Sequence, residues 1–211
     1  MKNLNLNFYP DFLLGHLIRN QIQKGIQRKL AISLPPRAGK SYTSSLFCAF
    51  MLGRHPKESI MRCACTSDLY QTLSKSVLNI LLDDRWQKLF GEELKSTSVT
   101  AWQLKNCSQL ASYYGNGVGG NIIGKGASMV AMTDDLYTGI ADALSPVYVS
   151  MVNDWYDGSF MSRVERRCST IDIGTRWSKK DIIGRKIDMN MYDEVICISA
   201  LDENGESYCD E

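Results

Sequence analysis

The sequence predicts an α/β protein in which a mostly parallel sheet is covered by helices on both faces. Two observations lead to this class: apolar runs of strand length alternate with helix-compatible segments, and no internal repeat or low-complexity linker interrupts them. The 211 residues are 44% hydrophobic and 22% charged, which provides enough apolar material for one sizeable core. We therefore expect a single domain over residues 1–211.

The individual elements follow from hydrophobic periodicity and from turn residues. Helical spacing predicts an N-terminal helix from Phe12 to near Gly25, then a strand over residues 30–34 and a helix over 42–52. Residues 99–104 and 110–114 are predicted to form a short antiparallel pair around Lys105-Asn106. Further strands are expected at residues 59–65, 129–132, 167–173 and 195–199, and further helices at residues 68–82, 145–155 and 179–188.

Composition excludes some classes of protein. No segment approaches 18 uninterrupted apolar residues, and the first seven residues lack the apolar core of a signal peptide, so we expect neither a membrane span nor secretion. The seven cysteines are odd in number and lack the spacing of metal ligands, which favours reduced thiols in a cytosolic protein. The net charge of +1 is uninformative about nucleic acid, but eight basic residues stand against three acidic ones between Arg163 and Lys186.

The most informative segment is the loop that joins the first strand to the helix after it. A tight loop in this position suits a triphosphate, because its amides and the helix N-terminus can hold phosphate oxygens. Lys40 is expected to reach the β- and γ-phosphates, and Ser41 to ligate Mg²⁺. Leu34 stands where the general pattern has its first glycine, and two prolines remove N–H donors, so this half of the loop must hold phosphate differently. The residues predicted to bind nucleotide are Pro35, Pro36, Arg37, Ala38, Gly39, Lys40, Ser41 and Tyr42.

A pair of acids, Asp134 and Asp135, follows the apolar strand at residues 129–132. A buried strand beside the loop strand can deliver a carboxylate to Mg²⁺, so Asp134 is expected to hold the metal, directly or through water. Asp135 is expected to polarise the attacking water. Paired acids at a strand end are also common as solvated turn residues, and the phosphate loop upstream favours the catalytic interpretation. The competing pair Asp83-Asp84 follows a helical pattern, at an expected helix C-terminus where negative charge is unfavourable, and is assigned to the surface.

A third element is the end of the strand that precedes Gly174, where Thr175 and Arg176 follow. A threonine at a strand tip beside the phosphate loop can sense whether the γ-phosphate is present and can couple hydrolysis to movement of the next segment. We expect Thr175 to have this role, with Arg176 as a candidate helper. An ordinary strand end with an exposed arginine–tryptophan stack is the alternative.

These three elements, in this order, resemble the ATPase domain of large terminase subunits, the DNA-packaging motors of tailed bacteriophages. The resemblance lies in residues 34–41, in the glycine stretch 119–126 that leads to Asp134-Asp135, and in residues 174–184. It covers most of the chain, from the N-terminal helix to about Ser199. It implies a P-loop NTPase of the ASCE/RecA-like type, in which the three elements are the Walker A loop, the Walker B acids and the coupling motif.

The resemblance also implies roles for individual residues. Arg37 corresponds to the arginine of the family's loop that contacts phosphates or changes partner with nucleotide state. Lys125 stands where relatives often carry an arginine that enters a neighbouring subunit's site. A lysine brings charge without a bidentate fork, and a lysine on a mobile loop is the alternative. Asp135 occupies a position that is often Glu in relatives, so its shorter side chain must lie closer to its water.

The function implied is Mg-dependent ATP hydrolysis that drives double-stranded DNA into a viral procapsid. The implied partners are DNA, the portal protein and the small terminase subunit, in a homo-oligomeric ring on the procapsid, with a monomer expected for the isolated chain. The place implied is the cytoplasm of the bacterial host, with transient residence on the procapsid. Relatives join this domain to a C-terminal nuclease for which there is no room after Val195, so we expect an excised ATPase domain without DNA cleavage.

Two other functions fit the same residues. One is a helicase-like translocase that acts on DNA outside capsids. The other is a nucleotide-binding module that docks portal or small-subunit partners without hydrolysing ATP, which the shorter Asp135 and the missing first glycine allow. For the basic segment, DNA contact through backbone phosphates is one interpretation, and a solvated face or a subunit contact is the other.

Overall fold

A computed structural model describes residues 27–199 of the protein, so the predicted N-terminal helix lies outside the described residues. Within them, eight strands form one sheet with the order β3-β4-β5-β2-β6-β7-β1-β8. Neighbouring strands from β5 to β8 pair in parallel, and β3 and β4 extend the sheet as an antiparallel edge. The strands are β1 (Lys29–Ser33), β2 (Ile60–Ala64), β3 (Leu94–Ser98), β4 (Ala101–Leu104), β5 (Tyr113–Tyr114), β6 (Val130–Asp134), β7 (Ser169–Gly174) and β8 (Glu194–Cys197).

Helices cover both faces of this sheet, as the sequence predicts. Each crossover between parallel strands carries its chain over one face, and each helix buries an apolar side against the sheet. No helix among residues 27–199 is long and apolar enough to cross a membrane. The helices are α1 (Lys40–Arg54), α2 (Ser67–Leu82), α3 (Asp84–Phe90), α4 (Ile140–Leu144), α5 (Pro146–Trp155) and α6 (Ile182–Asp188), and a π-helical turn (Tyr156–Phe160) and a 3₁₀ turn (Met161–Arg163) continue α5.

Strand alternation divides the interior into two cores. In β7, Ile171 and Ile173 belong to the core beneath α1 and α2. Asp172, between them, faces the other side, where its carboxylate accepts a hydrogen bond from Lys186 of α6. The second core lies beneath α4, α5 and α6. In β6 the residue in register with Ile173 is Asp134, and this register places the Asp134 side chain on the α1 face of the sheet.

The structure corrects two details of the predicted elements. Asp83 closes α2 but is also the N-cap of α3, where its carboxylate accepts a hydrogen bond from the Arg85 amide at 2.8 Å. The Asp83-Asp84 pair thus begins a helix, where negative charge is favourable, and is not confined to a helix C-terminus. The last helix begins at Ile182 instead of residue 179, because Asp181 caps it by accepting from the Gly184 amide at 2.7 Å.

Candidate active site

The carboxyl ends of β1, β6 and β7 meet at one edge of the sheet because these strands run parallel. The loops that follow them supply the predicted phosphate loop, the two acids and the strand-tip threonine. One expectation is corrected: β7 lies between the loop strand β1 and the acid strand β6, so the acid strand is not the immediate neighbour of the loop strand. The loops surround a cleft of about 580 Å³ whose lining includes Arg37, Gly39, Lys40, Ser41, Asp135 and Thr175.

The phosphate loop turns through two residues with positive φ, Arg37 at 63° and Gly39 at 77°. Glycine adopts this conformation without steric cost, whereas arginine does so rarely. Gly39 is also the N-cap of α1, where it offers no side-chain acceptor, and the first turn of α1 contains no acidic residue. The first amides of α1 lack intrahelical partners and remain available to an anion.

Lys40, the first residue of α1, is buried at the base of the loop. Its Nζ donates to the carbonyl oxygens of Leu34 at 3.3 Å and Pro35 at 3.0 Å, and to Oγ1 of Thr175 at 3.1 Å. Three acceptors match the three N–H groups of an ammonium. Lys40 therefore links the phosphate loop to the tip of β7, and a phosphate oxygen would have to replace one of its present partners.

Ser41 and Asp134 lie together at the N-terminus of α1. Ser41 Oγ donates to Asp134 Oδ1 at 3.2 Å, and Ser44 Oγ donates to Oδ2 at 3.2 Å. Asp134 is fully buried, whereas Ser41 lines the cleft. Hydroxyl and carboxylate oxygens suit Mg²⁺, which takes one or two protein ligands and completes its shell with water and phosphate oxygens. The residues present fit a magnesium ion, with Ser41 nearest the cleft and Asp134 behind it.

Asp135 adopts a backbone conformation that is rare for a residue other than glycine, with φ at 47°. Its amide donates to the Ile173 carbonyl at 2.9 Å, and its Oδ1 accepts from the Thr175 amide at 3.0 Å. Burial raises the pKa of Asp135, the Lys40 charge lowers it, and the neighbouring Asp134 charge raises it, with a net upward direction. A cleft carboxyl with a raised pKa is typical of a residue that handles protons in a reaction.

Arg62 also belongs to this site and was not predicted from the sequence. It lies in the middle of β2 with 0% exposure. Its Nη2 donates to Asp134 Oδ2, and its Nη1 donates to Ser45 Oγ at 2.9 Å. Burial is the largest effect on the pKa of Arg62 and lowers it, but Asp134, Tyr113 and Cys48 together raise it by more, so the pKa lies above its usual value. The available signal was a lone charged residue inside an otherwise apolar strand, which is rare unless the charge is paired.

The other predicted nucleotide-binding residues are distributed along the loop. Arg37 and Tyr42 line the cleft and are exposed, and Pro36 lines it beside them. Pro35 contributes the carbonyl that Lys40 contacts, while Ala38 is half-buried and packs against the first core. The structure thus brings residues 35–42 together with both acids and with Thr175.

Lys125 lies elsewhere. Its Nζ is 5.8 Å from the centroid of the Tyr114 ring, and its carbonyl accepts from Tyr114 Oη at 3.1 Å. The next residue, Gly126, accepts through its carbonyl from Ser59 Oγ, just before β2 begins. This loop therefore lies near the amino ends of the parallel strands, and Lys125 does not line the cleft of its own chain.

Ion pairs occupy three of the eight basic residues in the segment from Arg163 to Lys186. Arg176 pairs with Asp181 at 3.3 Å, Arg185 with Asp157 at 2.8 Å, and buried Lys186 with Asp172 at 2.5 Å. The segment as a whole is therefore not one free basic surface. The exposed members are Arg166, Arg167, Lys179 and Lys180.

Comparison with known proteins identifies similar structures. No protein-family model matches the chain, and no curated protein matches its sequence. The N-terminal domain of the DNA packaging ATPase from bacteriophage phi29 superposes with a TM-score of 0.53 at 13% identity, covering 88% of this chain and 97% of that one. The large terminase ATPase domain of a Thermus phage gives 0.45 at 15% identity, covering 82% and 70%, and the UvsW helicase of bacteriophage T4 gives 0.43 at 14%, covering 82% and 55%.

The likeness to the phi29 domain extends over nearly all of that domain. At this identity it establishes the shared fold. The predicted α/β architecture, with a mostly parallel sheet and helices on both faces, is confirmed. The resemblance inferred from the three motifs is therefore confirmed at the level of fold: the chain shares its fold with the N-terminal domain of the phi29 DNA packaging ATPase.

Proposed function

We propose that the protein hydrolyses ATP and uses the energy to move double-stranded DNA into a viral procapsid. The observation that carries the proposal is the convergence of Lys40, Ser41, Asp134, Asp135 and Thr175 at the carboxyl edge of one parallel sheet. Together they can bind phosphate, hold the metal, orient water and sense the γ-phosphate, and they follow three separate strands. Solvated turn residues would not be expected to share so many direct contacts.

In this proposal the phosphates bind at the N-terminus of α1. The amides of the loop and of the first turn donate to phosphate oxygens, and Lys40 exchanges a carbonyl partner for a β- or γ-phosphate oxygen. Ser41, supported by Asp134, would hold Mg²⁺. Bound there, magnesium offsets the negative charge of the phosphates. Arg37, exposed on the cleft wall, is free to reach the same anion.

Hydrolysis then depends on Asp135 and Thr175. Asp135 lines the cleft, and its carboxylate orients the attacking water and accepts a proton from it. The carboxylate also accepts from the Thr175 amide, so the position of one residue constrains the other. Because Thr175 Oγ1 contacts Lys40 Nζ at 3.1 Å, a change at the γ-phosphate reaches the tip of β7 through a single lysine.

The wider assembly is proposed from the fold. The structural neighbour from bacteriophage phi29 is a DNA packaging ATPase, which supports DNA as the object moved. We propose a homo-oligomeric ring that docks on the portal protein with the small terminase subunit, in the cytoplasm of the bacterial host. Lys125, far from its own cleft, is suited to act only on a neighbouring subunit's nucleotide.

Phosphate release at high protein concentration tests the proposed activity. Wild-type protein should release phosphate from ATP in Mg²⁺, and Lys40→Ala should reduce the rate to background, because the γ-phosphate loses its buried cation. A wild-type protein that binds ATP without turnover would support the docking-module alternative instead. Strand separation on a forked DNA would support the helicase alternative, and cleavage of plasmid DNA would contradict the expectation that this chain has no nuclease activity.

A further inference from the structure

A buried arginine occupies the centre of the apolar strand β2. Its neighbours in β2 are Ile60, Met61, Cys63 and Ala64, all fully buried. Arg62 itself is fully buried, and among the described residues its Nε has no hydrogen-bond partner. A guanidinium in such surroundings is costly unless a carboxylate compensates it. The position therefore requires an explanation from its contacts.

The contacts of Arg62 converge on Asp134. In the β2–β6 ladder Arg62 stands opposite Met132, which makes Asp134 its diagonal neighbour on the same face of the sheet. Nη2 donates to Asp134 Oδ2 and also to Ser41 O at 3.3 Å, while Nη1 reaches Ser45 Oγ. One side chain thus joins the acid strand to the first two turns of α1.

The two oxygens of the Asp134 carboxylate therefore have different partners. Oδ2 is engaged on the interior side by Arg62 and Ser44. Oδ1 accepts from Ser41 Oγ, the hydroxyl that lines the cleft. A fully buried carboxylate needs a counter-charge, and without one its side chain could turn away from its site. The guanidinium supplies that counter-charge and, through its planar fork, a fixed direction.

We propose that Arg62 is a positioning residue that holds the Asp134 carboxylate in place and directs its Oδ1 to Ser41, so that Mg²⁺ and nucleotide bind in a coupled way. The inference rests on the proposed function, because it concerns the same nucleotide site. Arg62 does not line the cleft. Its effect reaches the site through Asp134 and Ser41.

Binding measurements without turnover test this role. A fluorescent ATP analogue is titrated into the protein in Mg²⁺ and in EDTA. The dissociation constant in EDTA divided by the dissociation constant in Mg²⁺ is the ratio that measures the metal–nucleotide coupling. Arg62→Met should lower that ratio by about tenfold or more, as expected for a coupling transmitted by one buried contact, and leave the affinity in EDTA nearly unchanged. Asp134→Asn should do the same, and the double variant should be no worse than either single one.

Arg185→Met is the matched control, because it removes the same charge from an exposed ion pair with Asp157 on the other face. It should leave the ratio at the wild-type value. Circular dichroism checks that each variant is folded. If Arg62→Met does not fold, Arg62→Lys replaces it: its ratio should lie between wild type and Asp134→Asn, and adding Asp134→Asn should cause no further loss beyond that single variant.

The two proposals fail in different ways. A wild-type protein that does not bind the analogue would contradict the proposed function. If the wild type binds with a clear Mg²⁺ dependence and Arg62→Met retains that dependence, only the role of Arg62 is overturned. Additive losses in the double variant would overturn it too, since Arg62 would then act on α1 independently of Asp134.

Discussion

At the scale of single residues, the polar groups of the site form hydrogen bonds with one another. Lys40 Nζ has three acceptors within its own chain, two of them carbonyl oxygens and the third Thr175 Oγ1. Asp135 accepts from the Thr175 amide. Thr175 thus touches both the proposed phosphate cation and the proposed base, so it is placed to link phosphate binding to water activation. Nucleotide binding must rearrange at least one of these bonds.

This placement predicts the behaviour of Thr175→Val, which keeps the shape of the side chain and removes its hydroxyl. Nucleotide affinity should change by less than about threefold, because Lys40 retains both carbonyl partners and gains the phosphate, and a lost neutral hydrogen bond contributes little net free energy. The turnover number should fall by about tenfold or more if the hydroxyl reports the γ-phosphate.

Steady-state phosphate release combined with equilibrium binding separates the two effects. Thr175→Ser, which keeps the hydroxyl, is the control and should retain most of the turnover. A Thr175→Val protein with an unchanged turnover number would exclude the hydroxyl from the reaction.

At the scale of elements, the segment after β7 is tied down by one carboxylate. Asp181 Oδ1 accepts from the Gly184 amide, and Oδ2 accepts from the amides of Trp177 and Ser178, both at 3.0 Å. Arg176 completes the set as an ion-pair partner of Asp181. The turn from the strand tip to α6 is therefore rigid, and movement at Thr175 would be transmitted to α6 and not absorbed by the loop.

Removing this cap should lower both the stability of the protein and its turnover number. Asp181→Ala is expected to lower the free energy of unfolding by about 2 kcal/mol, since it removes a helix cap and leaves buried amides unpaired. Urea denaturation followed by circular dichroism measures the loss. Asp83→Ala removes the exposed cap of α3 and should cost less, about 1 kcal/mol, with turnover unchanged. Equal losses in both variants, with turnover unaffected in each, would contradict a coupling role for this turn.

Some elements could be predicted from the sequence and others could not, for physical reasons. The strands that end at Ser33 and Asp134 are buried, so their apolar runs are continuous and the polar residues after them stand out. β3 was missed because residues 94–98 are mostly exposed and carry no apolar alternation. α4 has only five residues, too few for helical periodicity to appear.

The order of the strands and the contacts between residues distant in the chain also could not be predicted from the sequence. Periodicity reports burial but not which strands are neighbours, so the insertion of β7 between β1 and β6 was not foreseen. The same limit hid Arg62, whose partner Asp134 lies 72 positions away, and the ion pairs that occupy Arg176, Arg185 and Lys186. Charge counted along a sequence overestimates free charge wherever the partner is distant in the chain.

At the scale of the whole molecule, proposed contact with DNA is restricted to the basic residues that remain exposed. Lys179 and Lys180 lie in the turn before α6, next to the segment that Asp181 holds. Their ammonium groups would meet backbone phosphates without reading sequence, as a packaging motor requires. Their position would also bring DNA near α6, the helix to which movement at Thr175 is proposed to be transmitted.

Binding to a duplex of random sequence at several salt concentrations tests this contact. The logarithm of affinity should fall linearly with the logarithm of salt concentration, and Lys179→Glu/Lys180→Glu should reduce the slope by about 2, roughly 0.9 for each lost phosphate contact. The control is Lys75→Glu/Lys88→Glu, which makes the same charge change on exposed positions of α2 and α3. A slope that changes equally in both double variants would place the DNA elsewhere.

The central claim is that Lys40, Ser41 and the acids at the end of β6 act on one nucleotide. A crystal structure of the protein with Mg²⁺ and a non-hydrolysable ATP analogue tests it most directly. We expect the terminal phosphate within hydrogen-bonding distance of Lys40 Nζ, the metal beside Ser41 Oγ, and a water between the terminal phosphate and Asp135. An analogue bound at another surface, with Lys40 still engaged by Leu34, Pro35 and Thr175, would contradict the account.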